Sequence, residues 1–236
     1  AYVIAHLAQQ ESLANTTFIT ASAGNHGLSV AAGARTFGAS SVVYLSHTVP
    51  ETFAEKLRLQ GAKVCRKGND YEASMTAAAK SAKANNWVLL SDSSWPGYTE
   101  LPHRLMEGYL VMAAETVKQM KSAPTHIFLQ AGVGGLAAAC AAYFRSAWVD
   151  YPNIIVVEPE AAPALHDAIQ AGCFVSSTGP VSSMGRLDCK EASMIALNGL
   201  ARDADRFLLL SDDEVEDVMP NLADLGLATT PSGGAG

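Results

Sequence analysis

The sequence predicts an α/β fold in which parallel strands alternate with helices, and three observations support this prediction. Short apolar runs alternate with longer segments of helical periodicity along the 236 residues. Most of the apolar runs are uninterrupted, which is typical of strands covered on both faces of a sheet. Hydrophobic residues make up 49% of the chain and charged residues 17%, so the chain has enough apolar surface to fold around a core.

The elements follow one another in the order that crossover connections require. Runs rich in β-branched and aromatic residues predict seven strands: TTFIT at 16–20, SSVVYLS at 40–46, AKVCRK at 62–67, WVLLSD at 87–92, THIFLQAG at 125–132, NIIVVEP at 153–159 and RFLLLSD at 206–212. Apolar residues three or four positions apart predict nine helices. These lie at 1–14, 26–38, 50–60, 70–86, 102–122, 134–147, 163–171, 191–202 and 212–225.

Composition excludes several classes of partner. The net charge is −7 with 16 Lys and Arg, and no basic run stands out, which argues against nucleic acid or an anionic membrane surface. No apolar run reaches the length of a membrane span, and the chain has no signal-like start. The cysteines are scattered without CxxC pairing, and the histidines lack metal-ligand spacing, so we expect reduced thiols, a cytoplasmic protein and no metal site. These cysteines are Cys65, Cys140, Cys173 and Cys189.

Both ends of the chain are typical of cuts through a larger structure. Ala1 opens directly into a helical pattern without a capping residue. Gly236 closes the glycine turn PSGGAG, which in an α/β protein usually leads into another element. We therefore expect the chain to be part of a longer polypeptide.

Two glycine-containing turns follow predicted strands, at the sheet edge where α/β proteins bind ligands. In residues 22–27, SAGNHG, glycines flank an Asn-His pair, and we expect positive φ angles there because glycine adopts them at little cost. In residues 132–136, GVGGL, glycines precede an alanine-rich helix, so backbone N–H groups could bind a phosphate. A purely structural turn is the alternative in both places.

A dinucleotide site is a second interpretation of the glycine turn. Gly132, Gly134 and Ala137 fit G-x-G-x-x-A, and Glu158 ends the next strand, near the place of a ribose-binding acid. This interpretation explains neither the SAGNHG turn nor Asp92, which ends the fourth predicted strand. A third possibility is a catalytically inactive fold that serves as a binding or assembly module.

The two turns together resemble the fold-type II pyridoxal-phosphate (PLP) enzymes, a family that includes the threonine and serine dehydratases and serine racemase. SAGNHG at 22–27 is similar to their asparagine loop, and GVGGL at 132–136 is similar to their phosphate-binding loop. Within the family, the segments 92–109, 129–138 and 182–197 resemble diaminopropionate ammonia-lyases.

The resemblance implies PLP as cofactor and α,β-elimination as the reaction. The substrate would be a small amino acid, with 2,3-diaminopropionate as the first candidate and a β-hydroxy amino acid as the second. It implies that Asn25 hydrogen-bonds the ring hydroxylate of the cofactor and that a base, either Asp92 or the cofactor-binding lysine of the family, removes the Cα proton. A loop aspartate that caps its own turn is the alternative for Asp92. The phosphate would be held by Gly132, Val133, Gly134, Gly135 and Leu136, and the substrate carboxylate by Ser22, Gly24 and His26.

The resemblance also implies an organisation in two domains. A larger PLP-binding domain would comprise residues 1–20 and 102–236, and a smaller mobile domain, 21–101, would carry the asparagine loop. The active site is expected in the cleft between them, and a homodimer is expected by analogy with relatives.

Two departures from the family pattern stand out. The lysine that binds the cofactor in relatives would lie just before Ala1, and the lysines of the chain have the context of solvated surface residues. These are Lys56, Lys63, Lys80, Lys83, Lys118 and Lys190. Ala23 stands where diaminopropionate ammonia-lyases have an aspartate that serves as a base, and an alanine there resembles the plain dehydratases.

Overall fold

Two parallel sheets organise the chain, one in each of two units, Ala1–Asp92 and Ser93–Gly236. The computed structural model describes all 236 residues. In the first unit the strand order is β3-β2-β1-β4, with β1 (Thr17–Ala21), β2 (Ser40–Leu45), β3 (Lys63–Arg66) and β4 (Val88–Leu89). The helices of this unit are α1 (Tyr2–Ala8), α2 (Asn25–Thr36), α3 (Glu51–Leu59) and α4 (Tyr71–Asn85).

The first sheet is covered on both faces, as its apolar strands predict. Val42 and Val43 are neighbours on β2 and therefore point to opposite faces. Val43 packs with Ala31 of α2 and Leu57 of α3, whereas Val42 packs with Ala78 of α4. Each face thus buries aliphatic side chains beneath a helix layer.

The second unit contains a three-stranded parallel sheet of order β5-β6-β7. Its strands are β5 (His126–Gln130), β6 (Asn153–Pro159) and β7 (Arg206–Leu210). Its helices are α5 (Glu100–Gln119), α6 (Gly135–Trp148), α7 (Ala164–Ala171), α8 (Met194–Asp203), α9 (Asp212–Asp224) and α10 (Pro231–Gly234).

The central strand β6 divides the core of the second unit into two clusters. Val156 belongs to a large cluster with side chains of α6, α7 and α8. Val157, on the opposite face, packs with Met184 and Leu187 of the irregular segment before α8 and with Val215 of α9. The segment 172–193 therefore forms part of the core although it contains no helix or strand.

The predicted α/β class is confirmed, and a strand or helix lies in each predicted segment. Two details of the prediction are wrong: α1 ends at Ala8, and α10 was not predicted. Leu13 fits the helical spacing that predicted a longer α1. In the structure it lies in a turn, where its side chain is buried and its carbonyl accepts a hydrogen bond from Thr16 N–H at 2.9 Å. The domain boundaries predicted above stay a prediction. No helix combines the length and the hydrophobicity that a bilayer span requires.

Candidate functional site

Residues 22–27, the asparagine loop, connect β1 to α2 and are organised by one hydroxyl group. Ser22 Oγ accepts hydrogen bonds from the N–H groups of Gly24 at 3.2 Å and Gly27 at 3.1 Å. These bonds satisfy one N–H group in the first turn of α2, in the manner of a helix cap. A hydroxyl that accepts two bonds still has its own proton to donate.

Gly27 of this loop serves for close packing. A Cβ atom on Gly27 would lie 2.8 Å from the carbonyl oxygen of Ser22, a contact that the backbone cannot tolerate. Neither Gly24 nor Gly27 has a positive φ, so the expectation of left-handed geometry is wrong. Proximity between α2 and the end of β1, rather than backbone conformation, explains Gly27.

Asn25 and His26 occupy the first turn of α2 with different surroundings. Asn25 is exposed, whereas the half-buried His26 donates from Nε2 to the carbonyl of Leu90 at 2.9 Å. No protein group accepts from the backbone N–H of Asn25 or His26. The helix N-terminus therefore offers free N–H donors and a partial positive charge beside the Asn25 amide.

Asp92 lies two residues after Leu90, whose carbonyl accepts the hydrogen bond from His26. Leu90 follows β4 and donates its N–H to Ile19 of β1 at 2.8 Å, and its carbonyl is the one that His26 binds. Asp92 is half-buried two residues later, at the end of the first unit. Within this unit the fold thus brings the asparagine loop to the strand that leads into Asp92.

Residues 132–136, the glycine loop, connect β5 to α6 and favour glycine at two positions. Gly134 has φ +95°, and a Cβ atom there would also lie 3.0 Å from Leu165 Cδ1. At Gly132 a Cβ atom would lie 3.1 Å from Cys189 Sγ and 3.2 Å from the carbonyl oxygen of Arg186. The loop is therefore shaped by left-handed geometry and by a close neighbour.

The N-terminus of α6 is open. No side chain caps this helix at Gly134, and no protein group accepts from the N–H groups of Gly135, Leu136 and Ala137. Val133 is fixed beside it, because its carbonyl accepts from Ser193 N–H at 2.9 Å. A turn of free N–H groups at a helix N-terminus, with no polar side chain to occupy them, fits a phosphate group.

Glu158 has a structural role in the second unit. Its carboxylate is fully buried, and its two oxygens each accept a backbone N–H at 2.8 Å, from Leu165 and His166 at the start of α7. Burial raises the pKa of Glu158 to about 7. A carboxylate enclosed in this way is not placed to accept from a ribose hydroxyl, which removes the acid required by the dinucleotide interpretation.

Lys190 differs from the other lysines considered above. Five of the six are exposed, as predicted, but Lys190 is half-buried and its ammonium group is bound. Nζ donates to the carbonyls of Ala161 at 2.7 Å and Pro180 at 2.9 Å and to Asp188 Oδ1 at 2.6 Å. The interpretation of Lys190 as a solvated surface residue is therefore wrong.

Sequence reasoning missed a pair of buried serines that supports the glycine loop. The hydroxyls of Ser94 and Ser193 lie 2.7 Å apart, and Ser94 Oγ also accepts from Ile195 N–H at 2.9 Å. Ser193 in turn binds the carbonyl of Val133. The only local signal was the run of serines after β4, which does not reveal a partner 99 residues away.

The family described as pyridoxal-phosphate dependent enzyme matches residues 1–236. The diaminopropionate ammonia-lyase of Salmonella typhimurium is 34% identical over 214 residues, 86% of this chain and 52% of that protein. The L-serine dehydratase/L-threonine deaminase of Mus musculus is 30% identical over 162 residues, 67% of this chain and 47% of that protein.

Solved structures show a similar fold. The crystal structure of Escherichia coli diaminopropionate ammonia lyase with an aminoacrylate-PLP azomethine reaction intermediate has a TM-score of 0.90 and 26% sequence identity. The match covers 100% of this chain and 65% of that one. The chain thus spans about half the length of the curated relatives it matches.

Proposed function

Because the chain belongs to the family of pyridoxal-phosphate-dependent enzymes, we propose that it forms part of a lyase that performs α,β-elimination on 2,3-diaminopropionate. The predicted cofactor, pyridoxal 5'-phosphate, is confirmed as that of the family. In the overall reaction, diaminopropionate and water give pyruvate and two molecules of ammonia. The similarity to the Salmonella typhimurium protein supports this substrate.

The open N-terminus of α6 is the observation that carries the proposal. Free N–H groups behind the left-handed Gly134 would hold the phosphate, and residues Gly132 to Leu136 have no side chain that competes for these donors. The bound anion is stabilised by the helix dipole and by the hydrogen bonds together. The residues present therefore fit the phosphate of the cofactor.

Asn25 is proposed to orient the ring of the cofactor. Its side chain is exposed at the first turn of α2, so the amide is free to donate to a ring oxygen. When bound, the cofactor supplies an electron sink that stabilises the negative charge left on Cα after its proton is removed. The protein contributes the position of the ring and the groups around the substrate.

The substrate carboxylate is proposed to bind at the asparagine loop. Ser22 has a hydroxyl proton left to donate, and the backbone N–H of His26 has no protein acceptor. The N–H of Gly24 is bonded to Ser22 Oγ at 3.2 Å, near the long end of the usual range, so a carboxylate could replace that acceptor. Three donors at a helix N-terminus suit a carboxylate.

Asp92 is proposed as the general base that accepts the Cα proton. In the full-length protein, an Asp92→Asn variant should lose about 10²-fold or more of kcat and keep its PLP affinity, because the amide cannot accept a proton. Asp150→Asn, which changes an exposed turn aspartate, is the matched control and should retain full activity. Full activity of Asp92→Asn on every accepted substrate would remove Asp92 from the mechanism.

A β-hydroxy amino acid is the second candidate substrate. Ala23 is exposed at the position where the ammonia-lyases are expected to have an aspartate, so the chain lacks one possible base. The similarity to the Mus musculus L-serine dehydratase/L-threonine deaminase favours the same alternative. Serine would give pyruvate and one molecule of ammonia.

The ratio of products distinguishes these substrates. Full-length protein is incubated with diaminopropionate, serine, threonine or hydroxyaspartate, and keto acid and ammonia are both measured. Two molecules of ammonia per pyruvate with diaminopropionate, at a higher kcat/KM than for the hydroxy amino acids, support the proposal. A higher kcat/KM for serine or threonine favours the dehydratase, and no keto acid from any substrate contradicts both.

The assembly and location of the protein also belong to this proposal. We propose a cytoplasmic homodimer in which residues 21–101 form the smaller, mobile domain. The location is supported by the composition, and the dimer by analogy with the family. Light scattering of the full-length protein measures its mass in solution, and a monomer would contradict the dimer.

A further inference from the structure

Residues 186–189, here called the wall segment, lie against the start of the glycine loop. The Cβ position of Gly132 is 3.1 Å from Cys189 Sγ, 3.2 Å from the Arg186 carbonyl oxygen and 3.3 Å from Leu187 Cα. The wall segment is itself tightly turned, because Cys189 N–H donates to the Leu187 carbonyl at 2.8 Å. Its position therefore limits where the glycine loop can lie.

The wall segment contains no helix or strand, and it is held by the buried side chain of Leu187 in its middle and by contacts at its two ends. At one end, Arg186 N–H donates to Ser232 Oγ at 3.1 Å. At the other end, the backbone of Lys190 accepts from Ser177 N–H at 2.8 Å. The side chain of Lys190 adds the strongest set of contacts.

Lys190 connects three separate parts of the second unit. Its ammonium group has three N–H donors, and three oxygens accept from it: the carbonyls of Ala161 and Pro180 and the carboxylate of Asp188. Its side chain is only 24% exposed and that of Asp188 only 14%, so solvent competes weakly for these bonds. Lys190 is thus fully engaged in holding the segment.

The Ala161 carbonyl links this arrangement to the sheet that carries the glycine loop. Ala161 comes two residues after the end of β6. β6 pairs with β5, and Ala131, the residue before the glycine loop, donates its N–H to the carbonyl of Val157 on β6 at 2.9 Å. Lys190 therefore fixes the wall segment to the same sheet edge from which the glycine loop begins.

We propose that Lys190 is a positioning residue for phosphate binding: it holds the wall segment against Gly132 and so fixes the backbone donors of the glycine loop. This inference rests on the proposed role of that loop. Without the ammonium group, three acceptors lose their partner and the wall segment can move away from Gly132. The donors of the loop then lose their fixed geometry, and phosphate affinity falls.

The test compares the binding of two probes to the apo form of the full-length protein. PLP and pyridoxal, which lacks the phosphate, are titrated by visible absorption into wild type, Lys190→Met and Arg145→Met. Arg145 is the matched control, because it also binds several oxygens, including the Pro152 carbonyl at 2.8 Å, but at the start of β6. Urea unfolding of each protein measures the loss of stability alone.

We expect Lys190→Met to weaken PLP binding about tenfold and to change pyridoxal binding less than about twofold. Arg145→Met should leave the affinities for PLP and for pyridoxal unchanged, even if its urea midpoint falls as far as that of Lys190→Met. The milder variant Asp188→Asn keeps an oxygen acceptor for Lys190 and should fold. Its affinity for PLP should fall less than that of Lys190→Met, and its affinity for pyridoxal should not change.

Three results would overturn the inference: unchanged PLP affinity in Lys190→Met, an equal loss for PLP and pyridoxal, or an equal loss in Arg145→Met. If Lys190→Met does not fold, unchanged PLP affinity in Asp188→Asn overturns it. The wild-type titration tests the proposed function separately. A wild type that binds no PLP contradicts the role of the loop itself, and with it this inference.

Discussion

The asparagine loop and the glycine loop both lead from a parallel strand into a helix, but they treat the first turn of that helix differently. In the asparagine loop, Ser22 Oγ binds the N–H groups of Gly24 and Gly27. In the glycine loop no side chain caps α6, and Gly134 turns the backbone with φ +95°. One loop is built around a hydroxyl group and the other around backbone N–H groups that have no protein acceptor.

This difference indicates which kind of ligand each loop suits. The asparagine loop keeps its shape without a ligand through the Ser22 hydroxyl, although the N–H groups of Asn25 and His26 stay free, and it presents side chains, such as the Asn25 amide, for recognition. An uncapped helix N-terminus has unsatisfied donors until an anion arrives, and its binding energy comes from these donors. The first loop is thus suited to orientation and the second to anchoring.

The largest effect is expected from a change at the uncapped loop. Gly134→Ala places a side chain at a positive φ and 3.0 Å from Leu165, which should destabilise the protein by about 2–3 kcal/mol. It should also weaken PLP binding about 10²-fold, because the N–H donors are displaced. Affinity is measured by absorption titration and stability by urea unfolding.

Gly199→Ala is the control for this prediction. Gly199 lies inside α8, and a Cβ atom there would make only an ordinary contact, 3.6 Å from Ala138. This variant should gain about 0.5–1 kcal/mol of stability because alanine favours the helix. PLP affinity that is unchanged in Gly134→Ala would show that the phosphate binds elsewhere.

The next effect concerns α7, whose N-terminus is capped by a buried carboxylate instead of a hydroxyl. The pKa of Glu158 is raised by burial to about 7, so the native state holds this proton more tightly than the unfolded state. The protonated Glu158 side chain therefore stabilises the native state at low pH, and this stabilisation is lost as the pH rises through 7. Relative to Glu158→Gln, the free energy of unfolding of wild type should fall by up to about 3 kcal/mol between pH 4.5 and 8.

Urea unfolding at several pH values measures this difference. The comparison with Glu158→Gln removes the contributions of other carboxylates, which both proteins share. Parallel pH profiles for the two proteins would contradict a raised pKa at Glu158.

A smaller effect is expected when the asparagine loop loses its own cap. Ser22→Ala removes the acceptor of two N–H groups and should cost about 1 kcal/mol of stability. It should also raise the KM of the substrate severalfold, on the order of one lost hydrogen bond. Ser40→Ala, at the exposed start of β2, is the control and should change neither quantity. A Ser22→Ala variant with wild-type KM would show that the hydroxyl serves only the fold.

The smallest effect is expected at Thr20, two residues before Ser22, where a substitution should raise the stability of the protein. Thr20 Oγ1 is buried on β1 without a hydrogen-bond partner. Thr20→Val removes this unsatisfied hydroxyl and keeps the shape of the side chain, so it should stabilise the protein by up to about 1 kcal/mol. Thr17→Val, at a half-buried position, is the comparison for urea unfolding. A loss of stability in Thr20→Val would indicate an ordered water bound to the hydroxyl.

Local patterns predicted much of this molecule because they depend on neighbouring residues. The valine pair of β2 predicts a strand buried on both faces, and three glycines before an alanine-rich run predict an open helix N-terminus. The roles of Gly27, Glu158 and Lys190 could not be predicted in this way. Each depends on a particular oxygen or N–H group brought close by folding, such as the Ala161 carbonyl that lies 29 residues from Lys190 in sequence.

The hydrogen bond between His26 and Leu90 determines which tautomer of the imidazole is present. A main-chain oxygen can only accept, so Nε2 must carry the hydrogen, and in the neutral ring Nδ1 then has a lone pair. Such a ring attracts a cationic amine more readily than an anion. The proposed substrate, diaminopropionate, carries both kinds of group, so an Nδ1 that faced it would interact differently with its two ends.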